Sequence, residues 1–154
     1  MRIQTRSWNC GPIAILNSLK AIGIKATEKQ ISSYTGTTKA SGTNQFGILS
    51  GLTGLNIPAT EYNFQDQDEA YEFILQYIKE EGKSIILDFY KGAHWISLVG
   101  VIGDRVVVWD SDFGKKNKRE NGSYTLDKDQ LFKKWSPSEA GDYYLIVVNY
   151  DNKA

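Results

Sequence analysis

One cysteine, one histidine and three prolines are all that this 154-residue chain holds of those residue types. A lone Cys10 excludes any disulfide within the chain. Together with a lone His94 it also falls short of the four Cys and His ligands of a structural zinc site, so a metal centre is disfavoured. Charge of one sign is lacking as well: Lys plus Arg and Asp plus Glu both number 18, and the formal net charge is zero. No global field therefore draws the chain to nucleic acid or to a membrane surface, and a partner must be recognised locally. Long hydrophobic runs are missing too. No segment approaches the roughly 18 apolar residues of a membrane span, and Met1-Arg2-Ile3-Gln4 lacks the apolar stretch of a secretory signal. The default expectation is a cytoplasmic protein in a reducing setting, with no cofactor.

What is present is an ordinary globular composition, 41% hydrophobic and 23% charged, and residues 1–154 read as one domain. The first half reads as helical. Ile13 to Leu19 is apolar-rich and closes on Gly23, which suits a left-handed helix C-cap and places Cys10 at the start of that helix. Thr27-Glu28-Lys29-Gln30 has the form of a capping box, with Gly36 ending a short second helix. Asn44 to Leu55 carries Phe46, Leu49 and Leu52 at three-residue spacing, although Gly47, Gly51 and Gly54 oppose a helix there. After an extended stretch around Ile57 to Tyr62, the residues Ala70, Phe73, Ile74, Tyr77 and Ile78 mark one face of a helix ending before Gly82.

Beyond Gly82 the period changes. Ser84 to Tyr90, Trp95 to Val101, Arg105 to Trp109 and Tyr143 to Tyr150 are rich in β-branched and aromatic residues and read as strands. Asp127 to Trp135 reads as a short helix, and the polar segment Asp112 to Gly122 as an exposed loop. The fold class is therefore α+β, helices first and then mostly antiparallel strands.

The chemistry-bearing residues are few. Cys10-Gly11-Pro12 puts a thiol in the first turn of a helix, where Pro is tolerated and the orphan amides stabilise an anion, as a nucleophilic thiolate requires. Packing alone is the competing reading for a lone Cys. His94 opens the strand Ala93 to Val99 and is the one imidazole that could serve as base; Trp95 either shields the pair from water or packs in the sheet. Asp110, ending the next strand, or Asp112 two residues on, is placed to bond the far ring nitrogen. A two-residue turn at Gly103-Asp104 sets Asp110 opposite Ser97 and on the face away from His94, so the pairing needs a bulge, for which Gly100 is a natural place, or a wider loop. Gln4, six residues before Cys10, and the Cys10 backbone amide are candidate oxyanion donors.

Taken in order, Gln4, Cys10-Gly11-Pro12, Ser41-Gly42-Thr43, His94-Trp95 and Asp110 resemble the bacteriocin-processing double-glycine peptidases, within the papain-like cysteine peptidases. The resemblance spans Gln4 to Asp110. It implies a papain-like fold with Cys10 as nucleophile, His94 as base, Asp110 as orienting acid and Gln4 as oxyanion donor, acting on a peptide or protein substrate. Two positions depart from the family pattern, Asn9 where Asp usually precedes the Cys and Ser111 where Pro often follows the Asp. The chain also shows no nucleotide-binding motif or membrane span of the transporters to which such peptidases are commonly fused. The same triad on this scaffold serves deamidation or transglutamination, and a peptide-binding module without cleavage is a further alternative.

Overall fold

The computed structural model describes residues 8–80, 83–111 and 122–149. The first helix, α1 (Cys10–Ala21), is buried along its whole course from Cys10 to Leu19, as its unbroken apolar composition requires. It stops at Gly23 in the left-handed region, where Ile24 N donates to Leu19 O at 2.8 Å and Gly23 N to Lys20 O at 3.2 Å. In α2 (Glu28–Thr35) the Thr27 hydroxyl accepts from Gln30 N at the start, and left-handed Gly36 closes the end.

The helix α3 (Gln45–Gly54) forms despite its glycines, capped by the Asn44 side chain on Gly47 N. The reason is close approach. A Cβ at Gly47 would stand 2.5 Å from Thr35 O, and one at Gly51 would stand 2.7 Å from Ile15 Cδ1. The glycines that weaken helix propensity thus let α3 pack directly on α1 and α2.

The remaining elements are β1 (Ala59–Phe64), α4 (Gln67–Ile78), β2 (Lys83–Phe89), β3 (His94–Ile102), β4 (Arg105–Trp109), β5 (Ser123–Leu126), α5 (Lys128–Lys134) and β6 (Tyr143–Asn149). The strands make one antiparallel sheet in the order β1-β6-β2-β3-β4-β5. Alternation along the central strands feeds two cores. On one face Ile85, Leu87, Phe89, Ile96 and Leu98 pack with Ile74 and Ile78 of α4 and with Leu131 and Trp135. On the other, Ile86, Trp95 and Ile146 pack with Ile13, Ile15 and Leu19 of α1 and with Ile48 and Leu52 of α3. The α+β class is as expected, with Cys10 at a helix start. The strand β5 was not expected: its four residues follow a polar segment and show only Tyr124 and Leu126 buried. Most of the expected 112–122 loop lies outside the described residues. Among the described residues no helix is long and apolar enough to cross a membrane.

The β3–β4 hairpin carries the feature that matters most for the site. Its turn at Gly103-Asp104 is tight, with Ile102 paired to Arg105. The register then shifts between Leu98 and Gly100, so that Leu98 pairs with Val108 and Ser97 with Trp109. One extra residue on β3, Val99, moves every later residue of β4 to the opposite parity from a simple hairpin.

Candidate active site

Cys10 is the first residue of α1, and the first helical bond at that end runs from Ile13 N to Asn9 O (3.2 Å). The Asn9 side chain makes no capping bond; its amide instead donates to Glu28 Oε1 at 2.8 Å. Asn9 therefore does not occupy the amides at the start of α1, where the helix end favours an anion. Gly11 is required by contact: a Cβ there would lie 2.5 Å from both Cβ and Oγ1 of Thr43. The Ser41-Gly42-Thr43 segment therefore sits directly on the turn that presents the thiol, and Thr43 O accepts from Trp95 Nε1 at 2.7 Å. That bond fixes Trp95, which is buried in the α1 core and also walls a cleft of about 340 Å³ with Cys10, Thr43 and Gly92.

His94, the first residue of β3, is only 7% exposed. Its Nε2 is 2.6 Å from Asp110 Oδ1, and Cys10 is close enough to the ring to bear on its protonation. With Nε2 engaged by the carboxylate, Nδ1 is the nitrogen left for the sulfur. The Tyr90 ring stacks beside the imidazole at a centroid distance of 6.4 Å and an angle of 19°. Burial disfavours the charged ring and lowers its pKa, but the bond to the Asp110 carboxylate, with the influence of Cys10 and the Asp110 charge, overcomes this and raises it to about 10.

Asp110 follows β4 and is 2% exposed. Its Oδ2 accepts from the Tyr124 hydroxyl at 2.7 Å, and its backbone N donates to Gly122 O at 2.8 Å. The bulge is what puts Asp110 on the His94 face. In the shifted register it continues the parity of Val108, which pairs with Leu98 on the same side as Ile96 and His94.

Serines set the distance between the two halves. Ser97 Oγ on β3 donates to Ala14 O (2.7 Å) and accepts from Ser18 Oγ (2.9 Å), while Ser84 Oγ on β2 donates to Ser18 O (3.2 Å). All three hydroxyls are buried. They clamp α1 to the two central strands and so hold the Cys10 end of the helix over the His94 end of β3. Sequence reasoning missed this role, as it missed Tyr124; the signal was small polar residues at apolar positions of a helix and two strands.

The structure thus brings together Cys10, His94 and Asp110. Gln4 and Asp112 lie outside the described residues.

Compared with solved structures, the chain superposes on the peptidase domain of Streptococcus ComA, a bifunctional ABC transporter of a quorum-sensing pathway. The TM-score is 0.70 at 14% identity, over 97% of each chain. A double-glycine-motif protease from an AMS/PCAT transporter, solved with a leader peptide, gives a TM-score of 0.66 at 14% identity, over 96% of this chain and 89% of that one. The fold is that of the double-glycine peptidase domains. A C39-like peptidase candidate from Bacillus anthracis shares it, with a TM-score of 0.64 at 11% identity over 99% of this chain and 96% of that one. In sequence, a protein of unassigned function from Methanothermobacter thermautotrophicus is 33% identical over 57 residues, 37% of this chain and 39% of that protein. No family model matches the chain.

Proposed function

We propose that the chain is a cysteine peptidase of the double-glycine type, cleaving a peptide or protein amide bond through Cys10, His94 and Asp110. The observation that carries this is the buried His94–Asp110 pair, bonded at 2.6 Å, with Cys10 beside it at a helix N-terminus that borders a cleft. Cys10 attacks the carbonyl carbon as thiolate, and the former carbonyl oxygen becomes an oxyanion facing the amides at the start of α1, with Gln4 as the side-chain donor. The imidazolium of His94 gives its proton to the leaving nitrogen, the C–N bond breaks and a thioester remains on Cys10. Neutral His94 then takes a proton from water, whose oxygen adds to the thioester; the acid product leaves and the thiolate–imidazolium pair is restored. Asp110 holds the ring orientation and stabilises its charge without taking the proton.

The test is a proteome-derived peptide pool incubated with the purified chain and with its Cys10→Ser variant, with new termini read by mass spectrometry. Cysteine-dependent termini that share a residue pattern are expected. Cuts made equally by the Cys10→Ser variant, or none at all with the thiol fully reduced, overturn the reading. Products one mass unit heavier without new termini assign the triad to deamidation instead.

A further inference from the structure

On the α1 face of the sheet β2 presents Ser84, Ile86 and Asp88 in turn. The first two have structural tasks: Ser84 bonds Ser18 O, and Ile86 packs in the α1 core. Asp88 is only partly accounted for. It is 2% exposed. Ser138 and the residue's own backbone favour the charged carboxyl, and the Gly92 backbone passes so close that a Cβ added there would stand 3.3 Å from Oδ2. Oδ1 has no hydrogen-bond partner among the described residues. Holding a carboxyl oxygen out of water without a donor is costly, and native proteins rarely do so without a reason. Burial accordingly pushes the Asp88 carboxyl above the usual carboxylate range.

Asp88 does not lie in a closed core. It borders a cavity of about 270 Å³, and Ser41, Thr43, Gly92 and Trp95 border both this cavity and the Cys10 cleft. The two are adjoining compartments along one surface, separated by residues that belong to each. The backbone between them is specialised: Tyr90, Lys91 and Gly92 take positive φ of 56°, 58° and 89° in succession. Glycine at the third position lets the turn pass against the Asp88 carboxyl, where a side chain would crowd Oδ2. The charged groups bordering the cavity are Asp88, Glu139 and Lys91, two carboxylates against one ammonium. An acidic occupant is therefore repelled, and an apolar one leaves the two carboxylates uncompensated.

We propose that this cavity is a second subsite of the peptide cleft and takes a cationic side chain of the substrate, Lys or Arg, held by the negative charge of Asp88 and Glu139. This rests on the peptidase reading above, and it adds to that reading a requirement for positive charge at one fixed distance from the cut. A volume of this size accepts one side chain.

Two measurements test it. The first is titration of the full chain with N-acetyl-arginine amide, N-acetyl-lysine amide and the neutral isostere N-acetyl-citrulline amide, followed by chemical-shift change. The two cations are expected to bind about tenfold or more tighter than citrulline, and Asp88→Asn is expected to abolish the difference. Equal binding of the three probes, or none, overturns the subsite. Because the citrulline comparison uses the native chain alone, it stands even where Asp88→Asn unfolds. The second is cleavage of the peptide pool, in which about a tenfold or greater preference for Lys or Arg at one position is expected, lost in Asp88→Asn. Cysteine-dependent cuts without that preference overturn the subsite and leave the peptidase reading in place. Cation-selective, Asp88-dependent binding by a chain that cuts nothing supports the subsite and overturns the peptidase reading.

Discussion

Replacing Asp110 by Asn keeps the side-chain volume and removes the charge. In the native site Asp110 Oδ1 accepts from His94 Nε2 at 2.6 Å and Oδ2 from the Tyr124 hydroxyl at 2.7 Å. An amide offers one acceptor oxygen, so one of those donors must face an N–H group. The larger loss is electrostatic. Two unit charges about 4 Å apart at an effective dielectric constant of about 20 attract by about 4 kcal/mol, equivalent to about three pKa units. An attraction of that size is a large part of what raises the His94 pKa to about 10 against a burial that lowers it, the remainder coming from the bond to the carboxylate and from Cys10. Without it the ring loses the group that stabilises its charge and fixes its orientation beside the sulfur.

Because the chain has one cysteine, iodoacetamide adducts counted by mass spectrometry report that sulfur alone. At pH 6 an unassisted thiol is about 0.3% thiolate. The Asp110→Asn variant is therefore expected to be alkylated about 10- to 100-fold more slowly than the native chain at pH 6, the lower figure allowing for the weaker nucleophilicity of a stabilised thiolate. The two rates should converge near pH 9.5, about where an unassisted thiol is ionised in any case. Equal rates at pH 6, or a native profile that climbs with pH like that of a free cysteine peptide, would refute the role given to Asp110.

The Tyr124→Phe variant loses one bond to the same buried carboxylate, and its alkylation rate at pH 6 should fall between those of the native chain and Asp110→Asn; a rate equal to native would make the hydroxyl a bystander. Ser97→Ala leaves Ala14 O and the Ser18 hydroxyl without their partner, and thermal unfolding should show a loss of about 1–3 kcal/mol, against no change if the clamp is incidental. The folded His94 pKa lies above its ordinary value of 6.5, so the stability it contributes is full below pH 6.5 and is lost as pH rises through about 10. The unfolding temperature of the native chain should therefore exceed that of His94→Gln most at pH 6 and by a shrinking margin towards pH 10; a margin that grows with pH contradicts the assignment. Gln4→Ala should lower turnover about 100-fold or more with little change in substrate affinity; unchanged turnover would leave the oxyanion to the α1 amides alone.

Much of the fold was legible because local signals agreed with one another. Gly23 and Gly36 sit where the helices α1 and α2 end, the amphipathic face of α4 matches its buried residues, and β4 has the predicted bounds. Where local signals disagreed, tertiary contact decided. Propensity argues against α3, but its glycines are positions of close approach to Thr35, Ile15 and Tyr34, which no single-chain pattern reveals. The strand β5 is four residues long and half polar, too short to show a period, and Tyr124 went unnoticed with it. The Asp88 carboxyl reads in sequence as one polar residue in an apolar strand; only its face and its idle oxygen give it meaning.

The His94–Asp110 pair shows why register is hard to read from sequence. A tight Gly103-Asp104 turn is present, and continued without interruption it would set Asp110 opposite Ser97 and away from His94. Hydrophobic patterning could not decide the matter, because Val106, Val107, Val108 and Trp109 are apolar at both parities and either register buries valines. The break lies on β3, where Leu98 and Val101 both reach the α4 face although three residues apart, while their partners Val108 and Val106 are two apart. Gly100, with only Val107 near the position of its absent Cβ, marks the place where the strand absorbs the extra residue. The shift returns Asp110 to the His94 face and leaves it two residues beyond direct opposition, about 6.6 Å along the strand. The Tyr124 hydroxyl and Gly122 O, on the next strand and its approach, hold it in reach of the ring across that gap. A one-residue bulge therefore decides whether the acid meets the imidazole at all.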